Sequence, residues 1–319
     1  MSNLISPNYR FILRSKHEGQ EVLRLQHRLG IKTTGKYDSN TTKAVKAYQK
    51  DNDLDVDGLA GPQTLGALGI RMLFGIDVSG HQGAISYKKV VDHSPTEYAI
   101  VKISEHESHV QKTGRANVQG FMQAFHDAGK PVRVGCYHFS QPYNDKDDAI
   151  TDARQEADNF CRAWERLLVK PTMLPVNDVE KGLTPDDNHN ADHVIAWGEH
   201  VLNRLFGITD PYAENRPLLV LYTARWAWNA YLRKADPEKL AKIRKLYLSW
   251  WADYQSYKNM GTEPEDNYKL FQPEWHMWQW ENSCHIYGIQ KANGDYRNVD
   301  GNWCNEATIG SLMLPKCYT

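Results

Sequence analysis

The sequence predicts an α/β barrel of irregular construction, preceded by a small all-helical unit. Three observations point there. Acidic residues stand where short apolar runs stop, in Phe74-Gly75-Ile76-Asp77, in Met173-Leu174-Pro175-Val176-Asn177-Asp178-Val179-Glu180 and in Asn298-Val299-Asp300-Gly301-Asn302. Apolar runs of this length, separated by helical stretches, read as strands of a parallel sheet or barrel, whose catalytic groups come from the C-terminal ends of several strands. The chain has 319 residues, which suits a barrel plus a small module.

The first unit is helical. Val22, Leu23, Leu25 and Leu29 recur at helical spacing in residues 20–29, and Gly30 ends that helix. A weak repeat follows, Gly35-x5-Thr41-x2-Ala44-Val45 against Gly58-x5-Thr64-x2-Ala67-Leu68. Each copy reads as a turn, an N-capping Thr or Asn/Ser, and a helix, so residues 1–70 are expected to hold a three-helix bundle. Residues 71–73 leave a very short linker to the second unit, 71–319. There, strands are expected at 74–79, 98–104, 132–140, 174–180, 218–223, 246–252 and 276–280. Helices are expected at 117–128, 149–168, 191–205 and 225–231. The later strands are separated by loop-like segments rich in Asn, Gly, Pro and charge, such as 255–273, so the helices belong to the first half of the barrel.

Lys plus Arg number 38 and Asp plus Glu 39, so no basic field draws the chain to nucleic acid or to a membrane surface. Ten Trp and seventeen Tyr suit stacking on sugar rings, and equally suit a barrel core. Five scattered Cys without a CxxC argue for reduced thiols, and a Cys284–Cys304 pairing stays open. Residues 1–20 lack an apolar core followed by a small-residue cleavage site, and no stretch reaches membrane-spanning length. The expectation is a chain without a signal peptide, held in the cytoplasm until something else releases it.

Residues 20–69 resemble the peptidoglycan-binding domain found on many cell-wall hydrolases. The residues that carry this are Leu25-Gln26-x2-Leu29, Gly35-Lys36-Tyr37, Thr41-x2-Ala44-Val45-x2-Tyr48-Gln49 and Asp57-Gly58-x2-Gly61-x2-Thr64-x2-Ala67-Leu68. Residues 74–303 resemble the family 25 glycoside hydrolases, the N,O-diacetylmuramidases or Chalaropsis-type lysozymes. The matching motifs are Gly75-Ile76-Asp77-Val78-Ser79 with Gln82-Gly83, Val101-Lys102-x2-Glu105, Gly135-x-Tyr137-His138-Phe139, Asp178-Val179-Glu180, Leu221-Tyr222-Thr223, Trp251-Ala252-x-Tyr254, Trp278-Gln279-Trp280 and Val299-Asp300-Gly301-Asn302. They come in family order. The resemblance implies a (β/α)5(β)3 TIM-like barrel and cleavage of the β-1,4 bond between N-acetylmuramic acid and N-acetylglucosamine. It also implies peptidoglycan as substrate and anchoring ligand, with no cofactor and no metal. The long segments 255–273 and 282–298 depart from the family pattern and leave the outer walls of the cleft open.

Asp178 and Glu180 are two apart on a strand, so their side chains share a face. Like-charge repulsion and a shared hydrogen bond are expected to hold one of them protonated near neutral pH, as a general acid requires. The resemblance makes Glu180 the acid that protonates the leaving oxygen and Asp178 the group that orients the site and holds the N-acetyl group. It puts Asp77 in the catalytic floor with Asp300, although Asp-Gly is also a common turn pair. Tyr137, Tyr222 and Trp251 each follow an apolar run and are expected at the cleft mouth; Glu105 and Gln279 complete the substrate-binding set. Alternation sends His138 to the face opposite Tyr137, as a core histidine and not a metal ligand.

Three other readings weigh less. A chitinase-like enzyme of family 18 would carry further acids where Pro175 and Val176 stand. A non-catalytic wall-binding protein would not need all four acids. A zinc amidase lacks a convincing ligand set. The expectation is a monomeric phage endolysin, without nucleic-acid partner or membrane insertion, that waits in the host cytoplasm for a membrane lesion and then acts in the periplasm on the wall. Inversion and substrate-assisted retention both fit one acid plus an Asp.

Overall fold

The computed structural model describes residues 10–142, 148–254 and 276–318. The expected segment 255–273 lies outside them. The N-terminal module holds α1 (Gln20–Arg28), α2 (Ser39–Asp51) and α3 (Pro62–Ala67). Its helices do not start as the sequence suggests: Asp38 and Gly61 are the N-caps, not a Thr, Asn or Ser. The repeated threonines serve a clasp instead. The Gln26 amide donates to Thr41 Oγ1 (2.8 Å) and to the Lys36 carbonyl (2.8 Å), while its oxygen accepts from the Gly35 N–H (2.9 Å). One repeat later, the Gln49 amide donates to Thr64 Oγ1 (3.1 Å) and to the Leu59 carbonyl (2.9 Å), and accepts from the Gly58 N–H (2.9 Å). Gly35 and Gly58 both take positive φ, 70° and 79°, which a side chain would resist. The weak sequence repeat is therefore a structural one, two turns each closed on a buried glutamine.

The second unit is a closed barrel. Its strands are β1 (Met72–Val78), β2 (Thr96–Glu105), β4 (Val134–Ser140), β5 (Val176–Val179), β6 (Leu219–Ala224), β7 (Tyr247–Ala252), β8 (Met277–Gln290) and β9 (Tyr296–Asn305), with a two-residue β3 (His109–Val110) hairpinned onto β2. Neighbours are parallel from β1 through β8; β9 runs antiparallel to both β8 and β1 and shuts the ring. Helices follow the first five barrel strands: α4 (Tyr87–His93), α5 (Gly114–Asp127), α6 (Ala149–Glu165), α7 (Asp187–Phe206), and then α8 (Arg225–Tyr231) with α9 (Pro237–Leu246). Among the described residues no helix follows β7 or β8, and only the single-turn α10 (Glu306–Ile309) follows β9, so the architecture is the expected (β/α)5(β)3.

Two parts of the reading change. Residues 282–298, which the sequence reading set apart as a departure from the family pattern, are mostly the arms of the long β8–β9 hairpin. Short α4 and the charge-rich α9 went unforeseen. All five cysteines are free: Cys284 stands opposite Val299 and Cys304 opposite Met277, which is not a bridging register. None of the described helices is long and apolar enough to cross a membrane.

Large aromatic rings fill the centre, with Phe74, Tyr98, Trp278, Trp280 and Trp303 almost fully buried. Gly75 is required in β1 because a Cβ there would lie 2.1 Å from the Tyr98 ring. The module seats on the barrel end where β1 begins and β9 finishes. Phe11 meets Trp303 edge-on (5.4 Å between centroids), and Trp303 meets Phe74 the same way (5.4 Å). The Asn305 amide donates to Glu21 of α1 (3.1 Å), and the Arg71 guanidinium joins Glu97 and Glu306, each at 2.6 Å.

Candidate active site

Strand direction decides where the acids meet. The parallel strands carry Asp77, Tyr137, Asp178 and Tyr222 to one end of the barrel, and Glu180 follows directly after β5. Asp300 reaches the same end differently. It lies in the interior of β9, not at a strand end, and because β9 is antiparallel its register sets Asp300 opposite Asp77. The result is a pocket of about 290 Å³ whose wall includes Asp77, Asp178, Glu180, Asp300, Tyr137 and Tyr222. A larger cavity, about 640 Å³, lies between the module and the barrel base, lined by Arg10, Ile70, Phe74 and Trp303. It is remote from the carboxylates.

Asp77 is held on two sides. Its Oδ2 accepts from the Asn302 amide (2.8 Å) and from the Gln279 amide (3.0 Å). Gln279 in turn accepts from the hydroxyls of Tyr222 (2.7 Å) and Tyr254 (2.9 Å), and the Trp250 indole N–H donates to Asn302 (2.9 Å). These bonds form one network that fixes the floor. Gln279, expected to touch substrate, lines the pocket with its amide committed to that network. Glu105 lines the pocket and is tied to Lys102 (2.7 Å) and to the Gln141 amide (2.8 Å). Ser79 and Gln82 form a capping box after β1, and the Gln82 amide donates to the Asn298 carbonyl (2.9 Å), pinning this rim to β9.

Burial dominates the electrostatics. It raises the pKa of Asp77 to about 6, against hydrogen bonds from Asn302 and Gln279 that pull it down. It raises Asp300 to about 9, with the Asp77 charge adding to the rise. Asp178 is pushed well above the ordinary carboxylate range by burial first and by the Glu180 charge second; its Oδ1 is buried without a hydrogen-bond partner. Glu180 is also raised, by burial, with Lys181 opposing. The expected shared hydrogen bond is thus not what perturbs the Asp178–Glu180 pair. Four acids in one pocket titrate as a cluster, and protons stay on it through neutral pH.

The structure moves one predicted residue. Trp251 is not among the pocket residues; it packs edge-on against Trp228 of α8 (5.8 Å). Its neighbour Trp250 faces inward, edge-on to Tyr222 (4.9 Å). Both rings are buried on a strand that is apolar on each side, so β7 alternation was readable only up to a one-residue shift. Sequence reasoning also passed over Lys102, which is buried over the Phe139 ring (4.3 Å), and Tyr254, although both stand in the quoted motifs. His138 is a core residue as expected, its Nδ1 against Ser104 Oγ (2.8 Å).

The arrangement can deliver a proton from a desolvated carboxyl, surround a positive transition state with further carboxylates, and bracket a sugar ring with Tyr137, Tyr222, Trp250 and Tyr254. Comparison with known proteins agrees with that chemistry. The family model described as Glycosyl hydrolases family 25 matches residues 76–289. A peptidoglycan binding domain model matches residues 18–68. No curated protein matches by sequence. Among solved structures, a family 25 glycosyl hydrolase from Bacillus anthracis aligns over 76% of this chain and 94% of its own, at 20% identity and a TM-score of 0.53. The Clostridium perfringens spore cortex lytic enzyme SleM aligns over 76% and 70%, at 20% identity and 0.53. The CTP1L endolysin aligns over 75% and 68%, at 20% identity and 0.52. At these identities the three structures speak to the fold alone.

Proposed function

The chain belongs to the glycosyl hydrolases of family 25, and on that premise we propose how its four-carboxylate pocket cleaves the glycan of peptidoglycan. The protein is a peptidoglycan hydrolase of the lysozyme type, joined to a peptidoglycan-binding domain. The bond cut is the β-1,4 link between N-acetylmuramic acid and N-acetylglucosamine.

Glu180 is the general acid. It follows Asp178 on the same face, has a raised pKa, and is the less buried of the two, so it can meet a leaving oxygen. Its proton passes to that oxygen as the glycosidic bond breaks. Positive charge then grows on the ring, and Asp178, Asp77 and Asp300 supply the facing negative field. Asp178, buried beside Glu180, orients the N-acetyl side of the sugar. A water later gives its hydroxyl to the anomeric carbon and its proton to a carboxylate. Tyr137, Tyr222, Trp250 and Tyr254 form the sugar-binding walls. Glu105 fixes Lys102, and Gln279 positions Asp77.

The observation that carries this reading is the meeting of Asp178 and Glu180 with Asp77 and Asp300 in one desolvated pocket. Its test is hydrolysis of purified sacculi with NMR of the first product anomer. A β product points to retention with help from the substrate's N-acetyl group, an α product to direct inversion. Absence of new reducing ends would reject glycosidase action.

Residues 1–70 are proposed to anchor the enzyme on insoluble wall, supplying effective concentration and no chemistry. The pairing of a wall-binding module with a muramidase barrel also suits an endolysin that destroys a host wall from within. Expression in a bacterial cytoplasm with and without a pore-forming holin tests that setting: lysis in both cases, or in neither, counts against it.

A further inference from the structure

Behind the barrel, away from the pocket, α6 and α7 pack face to face over β4. Asp152 and Glu156 stand one turn apart on α6, so both point the same way, and His193 comes from α7 to meet them. His193 Nε2 lies 3.3 Å from Asp152 Oδ2 and 3.5 Å from Glu156 Oε2. All three ligand atoms lie within 4.8 Å of one another, and all three residues are buried. Among the described residues, neither ring nitrogen of His193 has a hydrogen-bond partner, nor does Asp152 Oδ2. Buried polar groups are ordinarily satisfied, and two buried carboxylates call for a counter-charge.

The surroundings fit a support shell. His138 Nε2 approaches Glu156 Oε2 (3.2 Å) while its Nδ1 meets Ser104 Oγ (2.8 Å), an arrangement in which the imidazole donates to the carboxylate and accepts from the hydroxyl. Glu156 Oε1 accepts from the Gln141 N–H (3.0 Å). Carboxylates that hold metals are usually hydrogen-bonded in this way. The spacing fits too. His193 Nε2 and each of the two carboxylate oxygens, 3.3 and 3.5 Å away, would subtend roughly 105–115° at an ion about 2.1 Å from each, close to tetrahedral.

We propose that Asp152, Glu156 and His193 bind one divalent first-row transition cation, which staples α6 to α7. One imidazole and two carboxylates suit zinc or manganese better than the hard alkaline earths. The ion would be structural. Its effect on the cleft would pass through Gln141, whose backbone holds Glu156 and whose side chain holds Glu105. The sequence reading expected no metal because no ligand set stood at metal spacing along the chain; Asp152, Glu156 and His193 come from two helices.

The test uses the untagged full chain, stripped with a chelator and then loaded with Zn2+ or Mn2+ and desalted. Elemental analysis should find about one bound ion per chain, and the melting temperature should rise by about 5 °C at saturating metal. Asp152→Asn and His193→Gln should each lose that ion and that rise while clearing sacculi within about twofold of wild type. Stripped wild-type protein that takes up no ion and melts at an unchanged temperature overturns the proposal without recourse to any variant. So does a folded His193→Gln protein that keeps the ion, which would mark an adventitious surface site.

Discussion

Asp300 makes the desolvation of the pocket measurable as stability. Its carboxyl rises from an ordinary 3.8 to about 9. The folded chain therefore keeps a proton that the unfolded chain releases, and the sign follows: stability is full below about pH 4 and falls as pH climbs from 4 towards 9. At about 1.4 kcal/mol per pH unit the ceiling on that loss is roughly 7 kcal/mol. Asp300 is partly exposed and shares its proton with Asp77, which leaves about 2–3 kcal/mol. Asp300→Asn keeps the shape, can still donate to Asp77, and has nothing to ionise. Its stability relative to wild type should thus grow by about 2–3 kcal/mol between pH 5 and pH 9, while its wall-clearing rate falls. Urea unfolding at pH 5, 7 and 9, followed by tryptophan fluorescence, reads this cleanly, since all ten tryptophans lie in residues 71–319. Parallel pH dependences for the two proteins would refute the argument, because Asp178 and Glu180 are common to both.

Three further outcomes are expected. Glu180→Gln should lower turnover on purified peptidoglycan by about 10²- to 10⁴-fold with unchanged far-UV dichroism, and a turbidity assay at the wild-type rate would remove Glu180 as the acid. Trp250→Phe should disturb activity by releasing Asn302 from its indole bond. Trp251→Ala should instead cost about 3–5 kcal/mol of stability with little change in KM, and the reverse pattern in the two variants would return Trp251 to the cleft. Gln49→Ala should destabilise the module by about 1–3 kcal/mol by leaving the buried Gly58 N–H without its partner and opening the Thr64 and Leu59 bonds, detectable as earlier proteolysis of residues 10–70 under limited digestion. An unchanged digestion profile would mean that the turn closes without its clasp.

The barrel was legible because carboxylates after apolar runs are a local signal. Asp77 and Asp178 stand in the last two residues of β1 and β5, and Glu180 follows β5 directly. Asp300 was found for a partly mistaken reason: it looked like another strand end, yet it sits inside an antiparallel strand and reaches the pocket through register with Asp77. No strand was foreseen over Tyr296–Asn305, because Asn298, Gly301 and Asn302 dilute its alternation. Those residues are there for cause. A Cβ at Gly301 would lie 2.6 Å from the Cys284 sulfur, and Asn302 must hold Asp77. The Trp250–Trp251 choice was beyond local pattern for a different reason. Tyr222 stands opposite Trp250 in the ladder, and only that pairing tells which ring turns inward. The glutamine clasps lay in plain view as Gln26 and Gln49, but their partners are carbonyls and turn N–H groups that carry no residue signature.

The seat of the module has a mechanical consequence. The chain leaves the module at Arg71 and enters β1 at Met72, and five residues on, about 17 Å away, that strand carries Asp77. Strand β9 lies alongside, antiparallel, with Asn305 beside the module and Asp300 beside Asp77. A pull from a module gripping a stretched wall therefore enters along the strand axis. It loads the β1–β9 hydrogen bonds together, in shear, and does not peel them one by one. Asp77 hangs at the far end of a ladder that shares the load, so the pocket end can keep its shape while the module end is under strain.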